Sequence, residues 1–290
     1  LNAFTVDVED YFQVSAFERH VPKESWRGRE SRVAQSNRKI LDLLARKQVK
    51  ATFFILGWIA REFPELVREI HAAGHELASH SYWHRLVYSL SPEEFRQDLR
   101  DSREAIFEAT GVTVKAYRAP SFSITRKSLW ALDILAEEGF TVDSSVFPTR
   151  HDRYGIPGAK LEIHPLATAA GSVLEFPPTV AKLAWWNMPT GGGGYFRLYP
   201  WWFTKHLLSQ VNRSGRPFMF YVHPWEVDPD QPRMAFASLG TRFRHYVNLA
   251  TTATKLERLL DTFRFGTLSE VIAQHAACPT NSSTAECAAS

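Results

Sequence analysis

Gly74-His75-Glu76-Leu77-Ala78-Ser79-His80-Ser81-Tyr82-Trp83-His84 is a short apolar strand pattern that runs into two imidazoles four residues apart. On a helical turn, positions i and i+4 share one face, so His80 and His84 are placed to reach one ion. In a chain with eleven His, such a pair alone is a weak signal, because half-buried imidazoles are common. Its weight comes from where the surrounding sequence puts its other polar residues.

Upstream, Ala51-Thr52-Phe53-Phe54-Ile55-Leu56 reads as a buried strand, followed by a helix from Trp58 to Ala73 that Pro64 divides and Gly74 ends. Further back, a helix over 31–47 follows the strand Ala3-Phe4-Thr5-Val6, which runs into Asp7-Val8-Glu9-Asp10-Tyr11-Phe12. Alternation turns Asp7 and Glu9 to one side, with Asp10 offered from the following turn. Val6, Val8, Tyr11 and Phe12 surround these acids with apolar bulk, which a solvated turn does not require.

Downstream, Ser91-Pro92-Glu93-Glu94 predicts a helix start with a capping box, and Gly111 lies past its end. The strand Val114-Lys115-Ala116-Tyr117 ends in Arg118-Ala119-Pro120, a helix covers 126–138, and Phe140-Thr141-Val142 ends in Asp143. From Val146 to Tyr199 the pattern loosens, with strands at 161–163 and 173–176 and a glycine run, Gly191–Gly194. That run lacks the Lys-Ser/Thr of a phosphate loop and reads as a rim over the substrate together with Tyr195. A helix from Pro200 then leads to the strand Phe218-Met219-Phe220-Tyr221-Val222, which ends in His223-Pro224-Trp225-Glu226. One long helix over 242–263, a strand at 265–267 and a helix over 268–275 complete the pattern.

Seven or eight alternations of strand and helix in 290 residues predict an α/β chain with a parallel barrel. Asp7, Glu9, His80, Arg118, Asp143 and His223 all fall at strand C-termini, which in such a barrel converge on one mouth. Two His and a carboxylate make a three-ligand site with an open position, as in hydrolytic zinc sites. A second carboxylate can act as base, Arg118 can hold it ionised, and His223 can protonate a leaving amine with Asp143 orienting it. Acids, imidazoles and a metal without a Ser or Cys nucleophile point to metal-assisted amide or ester hydrolysis.

Bulk properties narrow the field. Hydrophobic residues at 44% and charged residues at 22% describe a full core, and a net charge of +3 without a basic stripe argues against nucleic acid as a partner. No apolar run approaches the ~20 residues of a membrane-spanning helix. The chain opens without a charged and apolar leader, so the cytoplasm is the expected compartment, with association with the cell envelope left open and a trimmed start signalled by the missing Met. Cys278 and Cys287 both lie in a small-residue tail over 276–290 that reads as flexible, which argues against a disulfide framework. Trp185-Trp186 and Trp201-Trp202 suit either core packing or flat platforms for sugar rings. A homo-oligomer is compatible with all of this.

The chain resembles the polysaccharide deacetylases with a NodB homology domain (carbohydrate esterase family 4), from about Phe4 to His223 in motif order. Thr5-Val6-Asp7-Val8-Glu9-Asp10 stands where the family has Thr-Phe-Asp-Asp-Gly, and Ala51-Thr52-Phe53-Phe54 with the stretch 74–84 forms the most specific match. Arg118-Ala119-Pro120 stands for Arg-Pro-Pro, Asp143 for the Asp before the usual Trp, and Val222-His223 for Leu-x-His. The Asp-Val-Glu-Asp-Tyr-Phe opening and Arg244-His245-Tyr246 resemble a subgroup linked to bacterial exopolysaccharide export loci, near the peptidoglycan deacetylase and allantoinase-like branch.

The resemblance implies a single domain over 1–275, a distorted (β/α)7 TIM-like barrel with a C-terminal helical extension from about 225. It implies a divalent metal, usually Zn2+, and removal of N-acetyl groups from amino sugars of an oligo- or polysaccharide. Asp7 would be the base, held by Arg118, His223 the acid, and His80 and His84 ligands, with Glu9 or Asp10 the third; alternation favours Glu9. A backbone N–H near Ser121 or Phe122 would hold the oxyanion, and Trp83, Pro120, Phe122, Tyr195 and Trp225 would meet substrate. Ser144-Ser145 stands in place of the usual Trp, which leaves the acetyl-pocket wall unassigned. An allantoinase-like cyclic amidase and a non-catalytic carbohydrate-binding barrel are the competing readings.

Overall fold

The computed structural model describes residues 1–151, 153–183 and 186–277; Trp185, Cys278, Cys287 and the rest of the expected tail lie outside them. The strands are β1 (Asn2–Val8), β2 (Thr52–Ile55), β3 (Glu76–Ser79), β4 (Ala116–Tyr117), β5 (Val142–Asp143), β6 (His164–Thr168), β7 (Gly171–Glu175), β8 (Val180–Leu183), β9 (Trp186–Pro189), β10 (Met219–Val222) and β11 (Phe265–Gly266). The helices are α1 (Val33–Arg46), α2 (Gly57–Glu62), α3 (Pro64–Ala72), α4 (Pro92–Thr110), α5 (Trp130–Glu137), α6 (Gly193–Leu198), α7 (Trp201–Arg213), α8 (Leu239–Tyr246), α9 (Leu249–Thr262) and α10 (Leu268–Ala277).

β1 is buried along its whole length, as expected for a strand covered on both faces. It pairs in parallel with β10 on one edge and β2 on the other, and the sheet continues in the order β3, β4, β5, β7, β6. Only β6 runs antiparallel, as the hairpin partner of β7. β11 returns from the C-terminal segment to pair with the start of β1, so this segment is part of the sheet. The result is the curled parallel sheet of a distorted barrel.

The edge strands of this sheet are β6 and β10, and no named strand fills the seam between them. The chain that follows β7 covers the β10 edge instead: Thr179 Oγ1 exchanges hydrogen bonds with the N–H and C=O of Met219, each 2.8 Å, and Tyr221 N–H donates to Gly191 O at 2.7 Å. The glycine run expected to be a rim over the substrate is thus partly a closure piece. Gly192 lies at φ 143°, and a Cβ there would sit 1.9 Å from Tyr221 O, so only glycine fits.

Several elements form as their residues dictate. Ser91 and Glu94 make the reciprocal capping box of α4, and Gly111 ends it in the left-handed conformation. Pro64 separates α2 from α3. Other elements differ from the expectation. The strand expected at 161–163 forms at 164–168, where pairing with β7 fixes the register. The single helix expected over 242–263 is two helices, broken at Asn248 with φ 55°. There the Arg197 guanidinium donates to the carbonyls of Arg244, His245 and Val247, taking up acceptors at the end of α8. Trp186 and Trp202 are 64% and 70% exposed, so neither packs in the core. Among the described residues, no helix is long and apolar enough to cross a membrane.

Candidate metal centre and active site

The expected pair on a helical turn is not helical: Ser81 and His84 adopt positive φ, 70° and 55°. Their loop is held by a carboxylate the sequence reading did not single out. Asp98, buried on α4, accepts from Ser81 Oγ at 2.6 Å and from the N–H groups of Tyr82 and Trp83 at 2.9 and 3.2 Å. Its signal in the sequence was an acid on the apolar stripe of α4, between Phe95 and Ser102. Gly57 receives the other side of the loop, where a Cβ would meet the Tyr82 ring at 2.5 Å. The two imidazoles are thereby brought to ring centroids 5.3 Å apart.

Ligand atoms of Glu9, His80 and His84 all lie within 4.8 Å of one another, and all three residues are buried. Asp10, one residue along, points elsewhere: its Oδ2 accepts from Ser31 Oγ at 2.6 Å and from the N–H groups of Arg32 and Val33 at the start of α1. Of the two candidate acids, the fold therefore brings Glu9 to the histidines and uses Asp10 to cap a helix. Burial pushes the Asp10 carboxyl up to about 6, against those hydrogen bonds.

The donor set fits a divalent cation. His80 Nδ1 lies 2.9 Å from the carbonyl oxygen of Arg118, a donor–acceptor pairing that leaves Nε2 as the lone-pair nitrogen facing Glu9 and His84. Burial holds the His80 imidazole down at about 4, in the neutral form a ligand requires. Glu9 Oε2 and His84 Nε2 are 2.6 Å apart, yet Oε2 has no aligned hydrogen-bond partner. Two nitrogens and a carboxylate oxygen suit zinc among other ions.

Asp7 lies beside this trio. Arg118, wholly buried, donates to Asp7 Oδ1 at 2.5 Å and to Thr5 Oγ1 at 2.9 Å, and its guanidinium stacks 3.9 Å over Phe54. His223 Nε2 faces the same space, 3.9 Å from Asp7 Oδ2 and 3.7 Å from Glu9 Oε1. Asp143 was expected to orient His223, but Glu226 does so, with Oε1 2.7 Å from His223 Nδ1. Asp143 instead accepts from Ser145 Oγ at 2.5 Å and is buried beside Glu175; burial raises both carboxyls. Glu226 is held by the buried Arg197 at 2.7 Å. Burial opposes charge on the His223 imidazole, but Glu9 and Glu226 outweigh it and lift it to about 9. Glu226 was legible only as a carboxylate three residues after His223, across Pro224.

Trp225 Nε1 donates to Glu9 Oε1 at 3.1 Å, and its ring stacks between His223 and His245, with centroids at 5.2 and 4.2 Å. It therefore braces the trio as well as walling the cavity. His245, without a partner in the sequence reading, is fixed by Gln231 Oε1 at 2.8 Å. Phe122 and Ser121 line the cavity with φ of 52° and 51°. Phe122 N–H is bonded to Ala119 O, whereas Ser121 N–H has no partner among the described residues. Pro120 is buried at the start of that turn. Trp83 lines a neighbouring cleft with His84, and Tyr195 lines the cavities on the other side. The central cavity, about 210 Å3, is lined by Asp7, Glu9, His80, His84 and His223 together.

A curled parallel sheet with a buried two-His, one-carboxylate group at its strand ends defines a barrel with a candidate metal centre. Residues 29–141 match the family model described as polysaccharide deacetylase, and residues 144–273 match a domain of unknown function, DUF3473. It is 30% identical over 118 residues to a peptidoglycan-N-acetylglucosamine deacetylase of Bacillus cereus, covering 37% of this chain and 43% of that protein. It is 33% identical over 98 residues to a chitooligosaccharide deacetylase of Rhizobium leguminosarum bv. trifolii, covering 34% of this chain and 43% of that one. The chain thus spans less than half the length of these relatives. A solved Mycobacterium smegmatis structure assigned as a polysaccharide deacetylase shares the fold, with a TM-score of 0.62 at 20% identity over 98% of this chain and 93% of that one.

Proposed function

We propose that this protein is a metal-dependent N-deacetylase acting on the N-acetylated amino sugars of a bacterial polysaccharide, with zinc at Glu9, His80 and His84. The observation that carries the reading is the meeting, in one cavity, of this trio with a held carboxylate and a charged imidazole. When bound, the ion would supply Lewis-acid polarisation of the acetyl carbonyl and a nucleophile at neutral pH.

The chain's own groups divide the proton work. Asp7 is the base: Arg118 takes up Oδ1 and leaves Oδ2 facing the cavity. His223 is the acid: its Nδ1 is engaged by Glu226, so the Nε2 proton is the one delivered to the departing amine. The carboxylates of Glu9 and Glu226 keep that imidazole charged until the proton leaves, and Arg197 holds Glu226 in place behind it. Ser121 N–H is the backbone donor for the oxyanion. A polymer of the exopolysaccharide or peptidoglycan type is the substrate class, in keeping with the names of the relatives.

The test is metal content by elemental analysis of purified wild type and His80→Ala, alongside acetate release from N-acetylglucosamine oligomers. One zinc or similar ion per chain, lost in the variant together with acetate release, supports the reading. Metal with no release from any N-acetylated sugar moves the site to another amide, and no metal uptake by wild type overturns the mechanism.

A further inference from the structure

Beside the candidate metal centre lies a second cavity of about 510 Å3. It shares Val14, Ala16, Arg153, Tyr154, Tyr221 and Trp225 with the central one, so the two form one continuous depression. Every lining residue except Val14 and Ala16 comes from 144–273, the segment matching the domain of unknown function. This segment therefore builds the ground that a neighbouring sugar would occupy.

The charge on that ground has one sign. Arg153, Arg197 and Arg244 line the cavity, and no carboxylate does so among the described residues. Arg197 is neutralised by Glu226 and spent on the carbonyls that end α8. The guanidinium groups of Arg153 and Arg244 have no ion-pair partner among the described residues. Exposed arginines are ordinarily just solvated. Here two of them, one in the loop after β5 and one on α8, converge on a concave surface that also carries the rings of Tyr195 and Trp225. The backbone of Arg244 is fixed at the cavity because Arg197 donates to its carbonyl. Aromatic faces beside unpaired guanidinium groups suit a sugar ring bearing an anion.

We infer that this cavity is a subsite for an anionic substituent, a carboxylate or a phosphate, on the sugar next to the one that is deacetylated, recognised by Arg153 and Arg244. The assignment rests on the deacetylase reading for the identity of the ligand as a glycan, but not for its charge. It gives the domain of unknown function a role in substrate selection.

The test measures affinity by titration calorimetry on the full, zinc-loaded chain in a His223→Ala background, so that turnover does not compete. The probes are hexa-N-acetylchitohexaose, which is neutral, and a hyaluronan hexasaccharide, in which N-acetylglucosamine alternates with glucuronate. The expected result is about a tenfold preference for the acidic hexamer, as for partly exposed Arg–carboxylate pairs. That preference falls toward one in Arg153→Gln/Arg244→Gln and at about 0.5 M salt, and is kept in part by Arg153→Lys/Arg244→Lys. N-acetylglucosamine 1-phosphate against N-acetylglucosamine forms the second arm: preference there, without preference between hexamers, assigns the anion as phosphate. Equal affinities in both arms, or a preference that survives the Gln pair, overturn the proposal. Acetate release by wild type is read separately, so a subsite without deacetylation and a deacetylase without a subsite give different results.

Discussion

The two halves of this molecule reach the same mouth by different means. In residues 1–143, consecutive strands β1 to β5 lie side by side in register, and Asp7, Glu9, His80 and Arg118 each sit within one position of a strand end, with His84 carried on the loop after β3. In residues 144–277, chain order and sheet order part company: β7 precedes β6 in the sheet, a glycine segment closes the seam, and β10 and β11 flank β1 from a distance of more than half the chain. The first half presents the trio, Asp7 and Arg118; the second presents His223 with its Glu226–Arg197 support and the arginine-lined wall. Register places most groups of the first half, with the buried Asp98 shaping the loop that carries His84, whereas the second half places its acid through a relay of buried ion pairs and stacked rings. Ion pairs can be altered one atom at a time, which makes the contrast open to experiment.

The largest effect is expected at two adjacent acids of the first half. Glu9→Gln is expected to abolish stoichiometric metal and lower acetate release by at least about a thousandfold. Asp10→Asn is expected to keep the metal and weaken only the start of α1, by about 1 kcal/mol in urea unfolding. Equal metal loss in both would show that Asp10 leaves its helix to serve the ion.

The seam offers the next test. Gly192→Ala forces a Cβ onto Tyr221 O and should cost about 3 kcal/mol in unfolding free energy. The same substitution at Gly28, where a Cβ meets nothing, should change stability by less than about 1 kcal/mol. Similar values at the two sites would mean that the closure of the glycine segment against β10 yields easily.

Glu226→Gln separates support from catalysis in the second half. The acid must be protonated, so activity falls as pH rises through the His223 pKa. Burial lowers that pKa while Glu9 and Glu226 raise it, and a bound cation would draw it below about 9. Removing the Glu226 charge should move the alkaline limb of kcat to lower pH and reduce kcat by roughly 10- to 100-fold. An unmoved limb would show that Glu226 only packs.

The smallest effect concerns His75, away from the mouth. Its Nδ1 accepts from Ala51 N–H, and burial with the nearby Lys50 charge holds it down at about 4. The unfolded imidazole titrates near 6.5, so the unfolded state binds the proton first as pH falls. Stability present above pH ~6.5 should decline toward pH ~4, by about 1 kcal/mol after solvent screening, and thermal melts of His75→Asn should show a shallower decline.

What the residues alone determined is the parallel architecture and the convergence of polar strand ends, because burial on both faces and capping are local patterns with a fixed period. The His80–His84 spacing, the held Asp7 and the α4 capping box belong to that category. Alternation already favoured Glu9 over Asp10, and tertiary structure added the reason, giving Asp10 to the start of α1 while Glu9 meets the histidines. Tertiary structure alone decided that Asp98 shapes the ligand loop, that Glu226 rather than Asp143 orients His223, and that the helix expected over 242–263 breaks at Asn248. Each of these turns on a buried charge whose partner is distant in sequence or chosen among neighbouring acids. Desolvation requires such a charge to find a partner, but only packing determines which one it finds.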